Sequence, residues 1–355
     1  MSTFVRFSEH GDASRLLEAA LREGPVHGYL FHGPPGVGKR EVARAFARSL
    51  LRTEREFHPD LYELDALGEM IRIDAIRELR RDLHMRPFEA DRRIYLIHRA
   101  HLLNEDAADA LLKDLEEPPS YAVIVLVADE LGPIPVTIRS RCQLVPFRRL
   151  SEKAVREFLA ERGPELSDNG LTALVRVSAG RLDRAERLLE PEAQARRAAV
   201  LDVARSVYLD PEFEPSGAAR RLLEGVSERG EAAREQAERD VDPQAPAREA
   251  EQFVKRVARG AEREELLATL DELSAWYRDL VVVAAGAARA AVNADRHAEL
   301  HEDATKERML GAEHACELVR EAWRTLEELN VNPQLALAAL FVRLRTELAG
   351  PAFAV

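Results

Sequence analysis

The stretch from Tyr29 to Arg40 reads Tyr-Leu-Phe-His-Gly-Pro-Pro-Gly-Val-Gly-Lys-Arg and sets Gly33, Gly38 and Lys39 at the spacing G-x-x-x-x-G-K. An apolar run precedes it and an amphipathic stretch follows, the strand, loop and helix context that gives this motif mechanical meaning. Glycines let backbone N–H groups curl around phosphate oxygens. The helix start adds the positive end of its dipole, and the lysine reaches the outer phosphates. Gly33, Pro34, Gly36, Gly38 and Lys39 are therefore the candidate phosphate-binding residues. The next position should carry a hydroxyl to ligate Mg²⁺, but it is Arg40, and a guanidinium has no lone pair to offer a cation. Weak ATP or ADP binding is still compatible with such a loop, but the metal loses one protein anchor.

The other half of a nucleotide-hydrolysing site is an apolar strand ending in carboxylates that hold the metal's water and activate the nucleophile. Here Ile94-Tyr-Leu-Ile97 runs into His98-Arg99-Ala100-His101 instead. His98 or His101 could be imagined as a base or ligand. Arg99 beside them repels a cation, however, and a strand-end histidine is more often structural. Two defects at the two metal-handling positions predict a nucleotide fold that hydrolyses ATP poorly or not at all, with no metal site.

These residues need a frame. Short apolar runs at Tyr29–His32, Asp60–Leu64, Ile94–His98, Val123–Ala128 and Gln143–Phe147 read as strands. Helical patterns at Lys39–Leu51, Ile73–His84 and Asn104–Glu116 lie between them, an alternation that predicts an α/β domain with a mainly parallel sheet. Asn104 is a natural N-cap, and Pro118–Pro119 stops its helix. After Ser151 the strand signals cease. Ser151 with Glu152, Ser167 or Asp168, and the segment after Gly180 each open a short helix. The expected division is an α/β domain over 1–149, a small helical lid over 150–204 and an all-α domain over 205–355. Ser227–Glu251, poor in large apolar residues, reads as a solvated helix and loop in preference to an interaction tail. Leu266–Val283, with Trp276 and Tyr277, reads as core.

The 355 residues suit two or three domains, and none of the apolar runs reaches the length of a membrane span. Arg6, Glu9 and His10 interrupt the place of a signal peptide's apolar region, so the expected compartment is the cytoplasm. Cys142 and Cys316 exclude a disulfide framework and an all-cysteine zinc site; a single cross-link stays open, though cytosolic chains seldom carry one. With 51 basic against 63 acidic residues, net −12, broad phosphate neutralisation by the free chain is disfavoured. A local basic patch, or contact with nucleic acid inside a larger assembly, is permitted. His297, His301 and His314 show no metal-site spacing with a carboxylate and read as exposed.

The chain resembles a known family. The phosphate loop, the helix Ala107-Ala-Asp-Ala-Leu-Leu-Lys-Asp-Leu-Glu-Glu-Pro-Pro119, the segment Pro135-Val-Thr-Ile-Arg-Ser-Arg-Cys-Gln143 and Leu329-Asn-Val-Asn-Pro-Gln-Leu335 are together similar to the AAA+ subunits of the bacterial clamp loader. Its degenerate loop and missing acidic pair resemble the delta-prime type. The resemblance implies an AAA+ domain with a helical lid and a collar that joins a five-subunit ring. Its expected partners are the gamma/tau and delta subunits, and through the assembly the sliding clamp and primer-template DNA of DNA polymerase III. It also implies that Arg141, in Ser-Arg-Cys, is an arginine finger entering a neighbour's ATP site, which suits a guanidinium's ability to neutralise charge on a γ-phosphate. Ser140 is expected to shape the turn and Cys142 to pack. Ala128-Asp129 and Asp183, with Arg184 next to it, depart from the family's nucleotide-sensing positions. The family's four-cysteine zinc module has no counterpart in Arg52–Pro59, so no zinc and no required cofactor are expected.

Two other readings compete: an active gamma/tau-like ATPase, against which His98-Arg99 counts, and a DNA-binding regulator using the Arg-rich stretch Arg72–Arg99. In the latter, interspersed Asp74, Glu78, Asp82, Glu89 and Asp91 favour a solvated helix face.

Overall fold

The computed structural model describes residues 10–55, 57–65, 70–162, 166–241, 247–329 and 331–349. The readings that involve Arg6, Glu9, Asp242, Pro243, Pro246 and Asn330 fall outside these residues. Contacts divide the chain into two compact units, Met1–Phe158 with Ala179–Arg184, and Leu159–Ser178 with Ala185–Val355.

The first unit runs α1 (Gly11–Glu23), β1 (Gly28–His32), α2 (Lys39–Leu51), β2 (Leu61–Leu64), α3 (Ile73–Leu83), β3 (Arg93–Ile97), α4 (Glu105–Glu116), β4 (Ala122–Ala128), the one-turn α5 (Val136–Arg139), and β5 (Gln143–Pro146). The five strands form one sheet in the order β2-β3-β4-β1-β5, and each neighbouring pair is parallel. Strand alternation splits the side chains between two cores. Leu30, Tyr95, Ile97, Ile124 and Leu126 face α3 and α4, whereas Tyr29, Phe31, Ile94, Leu96, Val123 and Val125 face α1 and α2. Covered on both faces, β3 and β4 are wholly buried, which is why they read as unbroken apolar runs. The expected strands and helices are all present, with ends moved by a residue or so. Asp60 falls just outside β2 because its fully buried carboxylate accepts backbone hydrogen bonds from Phe88, Glu89 and Ala90, at 2.6 to 2.8 Å, and so holds the turn before β3. Burial alone would raise the Asp60 carboxyl's pKa; these three donors outweigh it and lower it. Asn104 caps α4 as expected, its side chain accepting from Ala107 N at 3.0 Å.

After β5, α6 (Glu152–Arg162) leads to helices alone among the described residues: α7 (Asp168–Val177), α8 (Leu182–Arg187), α9 (Pro191–Leu209), α10 (Pro215–Asp240), α11 (Ala247–Ala284), α12 (His297–Asp303), α13 (Lys306–Glu328) and α14 (Pro333–Leu348). Leu266, Leu270, Leu273, Trp276, Tyr277 and Leu280 of α11 are buried in one core with α9, α10, α13 and α14, so that stripe is core. Around Ser227 the helix is exposed on one side, but the other buries Gly230, Ala233 and Ala237, with Gly230 against Glu262 of α11. Small residues let two long helices approach closely, a contact invisible to a count of large apolar side chains. Gly311 does the same between α13 and α14: a Cβ there would stand 2.2 Å from the Glu347 carbonyl oxygen. Cys142 and Cys316 are both free thiols. No helix among the described residues is long and apolar enough to cross a membrane.

Candidate functional site

In a parallel sheet every strand ends on the same edge, and loops leaving that edge converge. β1 delivers Gly33, β2 Asp65, β3 His98 and Arg99, and β4 Asp129. The loop after β1 takes the backbone turns its glycines permit, with φ of 144° at Gly33, 69° at Gly36 and 87° at Gly38. At Gly33 a Cβ would lie 2.2 Å from the Phe147 carbonyl oxygen, so glycine is required there twice over.

Lys39 opens α2 with its side chain only 4% exposed. Its ammonium donates to the Gly33 carbonyl at 2.7 Å and the Pro34 carbonyl at 2.5 Å, and pairs with Asp129 Oδ1 at 2.7 Å. Burial lowers its pKa, and Asp129 opposes that fall. Arg40 pairs with Asp65 Oδ2 at 2.5 Å, while Arg99 Nε donates to Asp65 Oδ1 at 2.8 Å. Burial alone would raise the Asp65 carboxyl; the two guanidiniums outweigh it and lower its pKa. Beside this trio, Glu63 accepts from Arg44 Nε and Nη2 at 2.9 to 3.0 Å and lies 2.9 Å from His98 Nε2. Burial would raise Glu63 too, but hydrogen bonds from His98 and Arg44 hold it at about 2. His98 is thus a buried structural partner, as expected of a strand-end histidine. His101 Nδ1 accepts from Asp129 N at 3.1 Å, and burial lowers the His101 pKa.

Carboxylates are therefore present near the end of β3, supplied by the neighbouring strand. Sequence reasoning looked for them along β3 and missed Glu63 and Asp65. The available signal was their alternation at the end of a strand whose position next to β3 is set only by the sheet order. A further residue reaches the loop from the start of α8. Leu182 N donates to Gly36 O at 2.7 Å, and Asp183 Oδ1 lies 1.8 Å from where a Cβ on Gly36 would stand.

Arg141 follows α5 at another part of the unit. Its Nη1 donates to the Thr137 carbonyl at 2.9 Å and contacts Ser140 Oγ at 3.4 Å; its Nη2 pairs with Glu116 at the end of α4. The side chain is about one-third exposed. Ser140 Oγ donates to Thr137 O at 3.0 Å and closes the turn. Cys142 is buried, which pushes its thiol up to about 12 and suits packing over nucleophilic chemistry.

Several arginines of the Arg-rich stretch are paired with acids. Arg77 pairs with Asp74, Arg80 with Asp114, and the buried Arg93 with Asp82 at 2.7 Å. His297 and His301 are exposed one helical turn apart, with Nε2 atoms 3.1 Å from each other, and His314 pairs with Glu347. Among the described residues no group of three or more His, Cys, Asp or Glu is arranged to hold a metal ion.

Residues 10–151 match the family described as DNA polymerase III, delta subunit. The chain is 33% identical over 156 residues to DNA polymerase III subunit tau of Bacillus subtilis, covering 39% of this chain and 28% of that protein. It is 32% identical over 152 residues to subunit delta' of the same organism, covering 38% and 46%. The match thus spans less than half the length of either relative. A solved gamma subunit-related protein of Thermotoga maritima shares the fold with a TM-score of 0.51 at 20% identity, covering 93% of this chain and 99% of that one. The strand order, the phosphate loop and these likenesses together make the N-terminal α/β unit similar to the corresponding part of DNA polymerase III subunits of the delta, delta' and tau types.

Proposed function

We propose that this chain is a non-catalytic, delta-prime-like subunit of a clamp-loader ring that loads a sliding clamp onto primed DNA, and that it offers Arg141 to the ATP site of a neighbouring subunit. One observation carries the reading: Lys39, the cation of the phosphate loop that a nucleotide would need free, is committed to Asp129, and the next residue, Arg40, is committed to Asp65. Arg40 also occupies the position of the Mg²⁺-ligating hydroxyl. In this reading residues 1–149 form the AAA+ domain, 150–204 its lid and 205–355 the collar that joins gamma/tau and delta subunits. No cofactor is required, and the protein works in the cytoplasm as part of the polymerase III assembly.

The near-equal identity to tau, 33%, and delta', 32%, favours keeping a second reading, an active gamma/tau-like ATPase. DNA- and clamp-stimulated ATP hydrolysis separates the two, measured on the reconstituted assembly with wild-type chain or Arg141→Ala and on each chain alone. The expected result is no turnover by the isolated chain and a loss of a hundredfold or more in the mutant assembly, since a trans arginine is worth about 10³–10⁵ in rate. Turnover by the isolated wild-type chain would make it a motor; an unaffected mutant assembly would remove Arg141 from the neighbour's site.

A further inference from the structure

A phosphate loop is an anion-binding nest formed by left-handed turns at the mouth of a helix. Here the turns at Gly36 and Gly38 are in place, and the 13-residue α2 behind them begins without a side-chain cap. What stands over Gly36 is a carboxylate of the chain itself, Asp183, so close that a Cβ on that glycine would overlap it at 1.8 Å.

That position is built. The backbone of the Asp183 segment is tied to the loop by the Leu182 N–H to Gly36 O bond at 2.7 Å. Two residues before Leu182 it turns at Gly180, where φ is 76° and a Cβ would come within 2.6 Å of the Leu150 carbonyl oxygen. Leu150 N in turn donates to Gly180 O at 3.1 Å. The carboxylate is aimed by Arg181, whose Nε and Nη2 bind its two oxygens at 3.1 and 2.7 Å, and Arg184 N donates to it at 2.7 Å. Asp129 pairs with Lys39 at 2.7 Å. Two negative side chains therefore border the phosphate loop, one beside Gly36 and one on Lys39. Arg40, which follows Lys39 where a metal-ligating hydroxyl would stand, is joined to Arg99 through Asp65.

We propose that Asp183 is the resident anion of this phosphate loop: its carboxylate takes the place of a nucleoside diphosphate's or triphosphate's outer phosphate and excludes it. Removing Asp183 converts the loop into a nucleotide site that needs no Mg²⁺, because Arg40 and Arg99 share the single carboxylate of Asp65 and so keep one net positive charge. The proposal rests on the non-hydrolysing reading of this site and adds the cause of its silence and a way to reverse it. Like charges across a small cavity repel strongly, and a phosphate entering beside Asp183 would gain a carboxylate neighbour and lose its hydration.

The test is calorimetric titration of the full chain with ADP, in Mg²⁺ and in EDTA, for wild type, Asp183→Ala, Asp183→Asn and Asp183→Ala/Lys39→Ala. Asp183 is half exposed and lies outside both cores, and the isosteric asparagine guards against a packing effect. Wild type is expected to show only millimolar or weaker binding, both single variants at least tenfold tighter binding that is equal in EDTA and Mg²⁺, and the double variant a return to wild type. Single variants no tighter than wild type, tight binding by wild type, or a gain that survives loss of Lys39 would each overturn the proposal. A gain seen only with Mg²⁺ would overturn the part assigned to Arg40 and Arg99. None of these results bears on Arg141, which is read from turnover of the assembly.

Discussion

The guanidinium of Arg40 occupies a place where a small hydroxyl would normally meet a metal, and its size and charge change what surrounds it. A long cation there needs a carboxylate. Asp65 provides one and takes Arg99 as well. The adjacent Glu63 is engaged by Arg44 and His98 in the same way, so each acid near the end of β3 is already paired. Glu63 offers a direct check. Its carboxyl is held at about 2, below the ordinary 4.5, so its contribution to stability is complete above 4.5 and is lost as pH falls from there towards 2. Glu63→Gln should lower stability at pH 7 by about 1–3 kcal/mol, the worth of hydrogen bonds to a charged group. Urea unfolding of both proteins should show that gap closing between pH 4.5 and pH 2; a gap independent of pH would mean that shape, and not charge, holds the cluster.

Among the elements, α4 links the sheet to Arg141. Its first turn is capped by Asn104 and its last residue, Glu116, holds the arginine. Asn104→Ala removes one acceptor for an otherwise unpaired helix N–H and should cost about 1 kcal/mol. The expected readout is a lower unfolding midpoint with an unchanged denaturant slope; no shift would show that the backbone bond from Asn104 N to Ile71 O suffices to start the helix. The cap was legible because Asn precedes a helical run of Ala107, Ala108, Leu111 and Leu115. The α10 contact with α11 was not, because it is made by Gly230 and two alanines whose burial depends on the partner helix.

On the scale of the whole molecule, the two units divide the labour. The first collects charged side chains at one sheet edge; the second buries its polar groups to fix helices against one another. Asp303, only 2% exposed, accepts from Tyr208 Oη at 2.9 Å and Arg205 Nε at 2.7 Å, and Trp276 Nε1 donates to the same Tyr208 oxygen at 3.1 Å. This ties α9, α11 and the α12–α13 corner together. Asp303→Ala would strip a buried guanidinium and hydroxyl of their shared acceptor and should destabilise the helical unit by about 3 kcal/mol. Denaturant unfolding followed by Trp fluorescence, with Trp276 in the network, should report the loss; a change below about 1 kcal/mol would mean that the helices are held by apolar packing alone.

Local patterns by themselves determined the strand and helix order, the phosphate loop, the Asn104 cap and the absence of a hydroxyl after Lys39, because each depends on neighbours within a turn or a strand. The partners of those residues were decided only in three dimensions. Asp65 and Glu63 reach the end of β3 because the sheet order sets β2 beside it, Asp129 meets Lys39 because β4 lies next to β1, and Asp183 reaches Gly36 across 147 residues of chain. Charge pairing at such separations follows from topology, and a motif read along the chain contains its own residues but not the groups that fill it.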